Sequence, residues 1–138
     1  MARTKFPVEV LTPEGEVFND EVEMIATKTV DGSIGILARH QPLLAMLDPA
    51  ELRLHRGEGD VVRLAQGEGY LQVAEDGGVL ILVEEAHPPA ELDSADLAER
   101  LRAAEDAIAK AEPGSEQRRV AERDKRRWEA FQRIAAAG

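Results

Sequence analysis

The sequence predicts a β-sandwich head of short strands, followed by a separate α-helical hairpin. Three observations carry this. Residues 6–86 break into short apolar-alternating runs divided by Gly- and Pro-containing turns. His87-Pro88-Pro89 then sets two prolines in a row, which cannot continue a sheet ladder. From Asp93 onward the apolar residues recur at helical spacing, interrupted once at Pro113-Gly114. Evenly spaced strands with Gly-rich turns imply an all-β N-terminal domain of about 8–10 strands. The expected organisation is a sandwich over 1–86, a Pro-containing joint over 87–92, and two helices over 93–138 with their turn at 112–115.

Phe6–Leu11 alternates, and Thr12-Pro13-Glu14-Gly15 places Pro and Gly where a turn uses them. Glu16-Val17-Phe18 reads as a short return strand. Val22, Met24 and Ala26 alternate with Glu23, Ile25 and Thr27, which makes the first set the apolar face. Asp31–Leu44 reads as a shaped, partly exposed corner between two buried strands, with glycines on either side of Ser33-Ile34 and Pro42 opening Leu43–Leu47. Leu52-Arg53-Leu54-His55 alternates strictly, Arg56–Asp60 is a hairpin loop, and Val61–Ala65 pairs back. Tyr70–Val73 follows Gln66-Gly67-Glu68-Gly69, and Glu75–Gly78 turns the chain again. Val79–Val83 is apolar throughout, as a strand covered on both faces would be.

In the helical region, Leu97, Leu101, Ala104, Ile108 and Ala111 form one seam, with Asp93 or Ser94 available as the cap. Ser115 can cap the second helix, whose weaker seam runs through Val120, Asp124, Arg127 or Trp128, Phe131, and Ile134 or Ala135. The two helices are expected to pair antiparallel. A seam made mostly of Ala, with Asp124 inside it, buries little apolar area, so the pair is held weakly and can open. Trp128 and Phe131 suit either a pin within the hairpin or anchors on a partner.

Charge narrows the function. A net charge of −10 in 138 residues opposes general nucleic-acid binding. Residues 1–90 hold 7 Lys/Arg against 16 Asp/Glu, whereas residues 115–138 hold 7 against 4. A basic arm on an acidic body implies an acidic protein partner. The absence of cysteine removes disulfide scaffolds and thiol catalysis. Neither a bilayer-length apolar run nor a signal-peptide core is present, so the expectation is a protein that stays where it is made, without direct bilayer insertion.

No motif points to catalysis. Ser33 would need Gly at position 31 to sit in a nucleophile elbow, and Asp31 is there. His40, His55 and His87 lack metal-ligand spacing. Glu84 and Glu85, as neighbours on a strand, point to opposite faces. The expectation is therefore no catalytic residues, no metal and no confidently assigned cofactor.

Gly32-Ser33-Ile34-Gly35-Ile36-Leu37-Ala38-Arg39-His40-Gln41-Pro42-Leu43-Leu44 resembles the G-x-x-G-I-L-P-x-H-x-P-L-L signature of the epsilon subunit of bacterial F-type ATP synthase, with Ala38 in place of the central Pro. Gly67–Val73 is similar to that family's G-G-F-x-x-V segment with an inserted Glu, and Leu92-Asp93 to the I-D opening its first helix. The resemblance spans essentially the whole chain.

It implies a non-catalytic rotor subunit of the central stalk of a proton-translocating synthase, peripheral on the cytoplasmic face of the cell membrane. The implied partners are the gamma subunit, the c-ring and the alpha/beta catalytic hexamer. Ser33, Arg39, His40, Gln41 and Pro42 would contact the c-ring or gamma. Arg118, Arg119, Arg123, Arg126 and Arg127 would meet the beta subunits when the helices extend and inhibit ATP hydrolysis. Some members bind ATP through I/L-D-x-x-R-A. Here Leu92 and Asp93 keep the first pair, Asp96 stands where Arg is needed, and Arg126 matches one of two second-helix arginines, so weak or absent ATP binding is expected. The alternative is a free-standing β-sandwich adaptor whose basic helical tail binds an acidic protein.

Overall fold

The computed structural model describes residues 3–137. Met1, Ala2 and Gly138, at the ends of the segments read from the sequence, lie outside the described residues. The chain divides into two compact units, residues 1–88 and 89–138.

The first unit is built of β1 (Phe6–Thr12), β2 (Gly15–Val22), β3 (Met24–Thr29), β4 (Gly32–Leu37), β5 (Leu43–Leu47), β6 (Ala50–Gly57), β7 (Asp60–Gln66), β8 (Gly69–Val73), β9 (Val79–Val83) and β10 (Ala86–His87). The strand order is β10-β7-β6-β3-β5-β8-β9-β1-β2, and β4 pairs with β3 off this path. β3 pairs with β6 through Met24–Ala26 and with β5 only at Thr29, so it turns the corner between the two layers of a sandwich. β1 and β9 run parallel, and β8 and β9 run antiparallel. The inward faces of the strands meet in one core that includes Phe6, Val8, Val10, Ile25, Ile36, Leu52, Leu54, Leu71 and Ile81. Each such fully buried side chain stabilises the fold by about 1.5–3 kcal/mol relative to exposure.

The expected head is present, with three corrections. Val22 ends β2, and the bend at Glu23, whose N–H donates to His55 O at 2.6 Å, resets the alternation. The face of β3 that is buried is therefore Ile25, Thr27 and Thr29, not Met24 and Ala26. β9 is covered on one face only, because Leu82 is exposed. The strands flanking the Arg39 corner are not buried either: Ile36 alone of β4 and Leu47 alone of β5 are fully inside.

The second unit starts with a 3-10 turn, Pro89–Glu91, and continues as α1 (Ser94–Lys110) and α2 (Glu116–Ala137). Asp93 caps α1, its carboxylate accepting from the N–H groups of Ala95 at 2.9 Å and Asp96 at 3.4 Å. Ser115 Oγ accepts from Arg118 N at 3.2 Å at the start of α2. Gly114 holds a φ of 78°, the left-handed conformation that lets the chain reverse after Pro113. Of the α1 seam only Leu97 and Ala104 are fully buried. On α2 the buried set is Ala121, Arg127, Trp128, Ala130, Phe131 and Ile134.

Candidate functional site: docking surfaces on the head and the hairpin

The outward face of β5, β8 and β9 is apolar. Met46 pairs with Tyr70 and Tyr70 with Leu82, so three side chains stand in one row across three strands. Leu44, two residues from Met46, shares the face. Leu44 is 70 % exposed, Met46 54 %, Tyr70 49 % and Leu82 45 %. A hollow of about 410 Å³ continues this face beside Tyr70 and Leu82, with Leu11, Pro13, Glu68 and Glu84 on its walls. Contiguous exposed apolar surface of this kind marks an interaction site. The sequence carried a signal for it. Leu43–Leu47 is apolar at every position, and a strand with only one inward face must then show apolar side chains on the other.

The Arg39 corner lies between β4 and β5. Among the described non-glycine residues Arg39 alone has a positive φ, 64°, and His40 N donates to Leu37 O at 3.3 Å to close the turn. His40 Nδ1 lies 2.7 Å from Gln41 O. Strain of this sort gathers at contact sites. Arg39, Gln41 and Pro42 are exposed and His40 is half-buried, so four of the five residues read as a contact cluster share one corner. Ser33 does not join them. It pairs with Lys28 near the other end of β4, about 20 Å from Arg39 along an extended strand.

On α2, Arg119, Arg123 and Arg126 are exposed at spacings of 4 and 3, which puts them on one face. Arg119 bonds Glu116 at 2.5 Å, holding that carboxyl below its usual range. Arg123 lies 3.4 Å from Asp124. Arg118 bonds Glu122 at 3.0 Å and reaches back to Ile108 O at 3.4 Å. Arg127 is different: it is buried, with its guanidinium 5.2 Å from the Trp128 ring centroid, a placement the charge pattern did not reveal.

A groove of about 540 Å³ lies between α1 and α2, lined in part by Ala103, Ala104, Ala107, Val120 and Ala121. The Asp93 carboxylate is engaged as the helix cap, and the Asp96 carboxylate accepts from Arg100 Nε at 2.8 Å. Arg126 is not part of the groove lining, whose one cation, Arg100, is already paired. No group of three or more His, Cys, Asp or Glu among the described residues could hold a metal ion.

A β-sandwich with an uncovered apolar face, followed by a hairpin with a cationic face, is a protein built to assemble with other chains. Residues 5–89 match the family model described as ATP synthase, Delta/Epsilon chain, beta-sandwich domain. The ATP synthase epsilon chain of Halalkalibacterium halodurans is 40% identical over 99 residues, covering 72% of this chain and 70% of that one. The epsilon chain of Ruminococcus albus is 35% identical over 132 residues, 96% of both chains. The chain belongs to the ATP synthase epsilon chain family. Its fold is shared with a chain of the Euglena gracilis mitochondrial ATP synthase OSCP/F1/c-ring assembly, at a TM-score of 0.78 and 24% identity, covering 97% of this chain and 82% of that one. A chain of the Tetrahymena thermophila central stalk/c-ring assembly matches at 0.64 and 19% identity, covering 96% and 98%.

Proposed function

We infer that this chain is a non-catalytic rotor subunit of an F-type ATP synthase, seated on the gamma subunit and the c-ring at the cytoplasmic face of the membrane. The observation that carries the reading is the apolar row Met46–Tyr70–Leu82, continued by Leu44, on a family member whose fold recurs in chains of F1/c-ring and central-stalk assemblies. Such a surface is unfavourable in water and becomes favourable when a partner covers it. The gamma subunit is the partner assigned to this face, and the Arg39–Pro42 corner is assigned to the c-ring loops. No helix among the described residues is long and apolar enough to cross a membrane, which fits a peripheral seat.

The hairpin is the regulatory part. α2 swings away from α1 and presents Arg119, Arg123 and Arg126 to an acidic surface of the catalytic subunits, which blocks ATP hydrolysis. Arg127 joins that surface only after it leaves its buried position. Two states separated by a few kcal/mol are enough for a partner surface to shift the population.

Replacing Met46 and Leu82 by Glu tests the seat. Both side chains are exposed, so the head folds, and co-purification with gamma is lost. Retention of gamma at wild-type yield refutes the assignment. Removal of residues 91–138 tests the regulatory part: coupling persists and ATPase activity rises. An unchanged ATPase rate removes inhibition from the account.

A further inference from the structure

The hairpin lacks a filled seam near its turn. There the facing residues are Ala103, Ala107, Val120 and Ala121, and the open groove they line runs on to Arg100 and Trp128, which stand on its walls too. Small side chains across a gap forfeit the dispersion contacts a packed seam would make. Large side chains gather at the other end, where Trp128 meets Phe131 edge-to-face with ring centroids 5.9 Å apart.

A charged chain crosses the helix pair at that free end. Arg100 of α1 lies over the Trp128 ring of α2, its guanidinium carbon 5.1 Å from the centroid. Asp96, one turn earlier on α1, holds Arg100 Nε at 2.8 Å. Two polar links cross nearer the turn, Lys125 Nζ to Glu105 Oε2 at 3.8 Å and Arg118 Nη1 to Ile108 O at 3.4 Å. Opening of an antiparallel pair starts where the chain does not already join the helices, and that is the Arg100–Trp128 end.

We propose that Asp96, Arg100 and Trp128 form a latch that sets how often the hairpin is shut, with Asp96 as the positioning residue for Arg100. The proposal deepens the regulatory reading above and rests on it for its consequence. A guanidinium held by a carboxylate at i−4 has fewer rotamers to lose when it settles on the ring. A cation over an indole at a half-exposed site changes an equilibrium by about two- to fivefold. It adds to the burial of Leu97, Trp128, Phe131 and Ile134, which is the larger contribution to closure.

The chain has no cysteine and one tryptophan, so thiol labels and indole emission each report a chosen site, with Arg127, 5.2 Å from the same ring on α2, common to every variant. Spin labels on Glu99→Cys and Ala136→Cys, exposed sites near the free end, read the separation of the helices in the full chain. R100Q raises the population at long distance about two- to fivefold and shifts Trp128 emission. D96N moves both in the same direction by less, D96N/R100Q matches R100Q alone, and R100K restores part of the closure. Unchanged distances and emission in R100Q, or additive effects of D96N and R100Q, overturn the latch. If R100Q opens the hairpin while ATPase inhibition in the assembled enzyme is unaltered, the latch stands and the regulatory reading falls.

Discussion

Gly69 is the position in the head where one methyl group does the most damage. A Cβ built on it falls 1.9 Å from Leu82 O, 2.7 Å from Val83 Cα and 2.9 Å from Leu82 C. All three are backbone atoms of β9, so no side chain can rotate out of the way. Relief requires β8 and β9 to part by more than 1 Å at the Gly69–Val83 pair, where Leu47 of β5 also faces Gly69. Overpacking of this kind costs about 1–3 kcal/mol, and one weakened ladder hydrogen bond adds about 1 kcal/mol. G69A is therefore expected to lose about 2–4 kcal/mol, a large part of the roughly 5–15 kcal/mol that holds an ordinary domain. Tyr70 is the only tyrosine and sits in the head, and Trp128 is the only tryptophan and sits in the hairpin. Urea unfolding followed by tyrosine-sensitive near-UV circular dichroism and by tryptophan fluorescence thus separates the two units. The head transition moves to lower urea. Gly35 is the control, because its added Cβ meets the flexible end of the Met24 side chain at 3.3 Å and Ile25 O at an ordinary 4.0 Å. G35A costs under about 1 kcal/mol. A G69A head within 0.5 kcal/mol of wild type, the scatter of ordinary surface substitutions, refutes the reasoning.

Four further outcomes follow from single groups. Glu51 accepts from Arg63 Nη2 at 2.6 Å and also from Arg53, and these guanidinium groups outweigh burial and hold its carboxyl below the usual 4.5. Its contribution is present above about pH 4.5 and is lost as pH falls through the lower folded value; E51Q removes about 0.5–1 kcal/mol at pH 7 and flattens the acid limb of a stability–pH curve. D93A strips the cap from α1 and costs the hairpin about 1 kcal/mol, read as an earlier Trp128 transition. R39G relieves the positive φ of 64° and raises head stability by about 1 kcal/mol in thermal unfolding. Calorimetry with ATP gives no isotherm at millimolar concentration, because Asp96 places a second carboxylate beside the capping Asp93; millimolar or tighter binding sinks that reading.

The division into strands and helices was legible because alternation changes to helical spacing at the Pro88-Pro89 joint, and both periods follow from backbone geometry. The buried face of β3 departs from the expected one because the bend at Glu23 inverts every later side chain, and no residue type announces such a bend. Leu82 falls within a run expected to be covered on both faces, because apolar character alone does not separate a face buried by folding from one awaiting a partner. The Arg39 corner was visible through its Gly and Pro neighbours, whereas Ser33 was grouped with it by sequence proximity that an extended β4 undoes. The Arg100–Trp128 contact depends on the register of α1 against α2, which the Ala-rich seam specifies weakly.

The proposed rotor function requires a head that keeps its seat and a hairpin that changes neighbours. Its most direct test is crosslinking in the assembled enzyme from a single thiol at Met46→Cys or Arg123→Cys, with and without nucleotide. The thiol at 46 is expected to reach gamma at the same yield in both conditions, and the thiol at 123 to reach the catalytic subunits at a yield that changes with nucleotide. A nucleotide-independent yield at 123, or no crosslink from 46 to gamma, contradicts it.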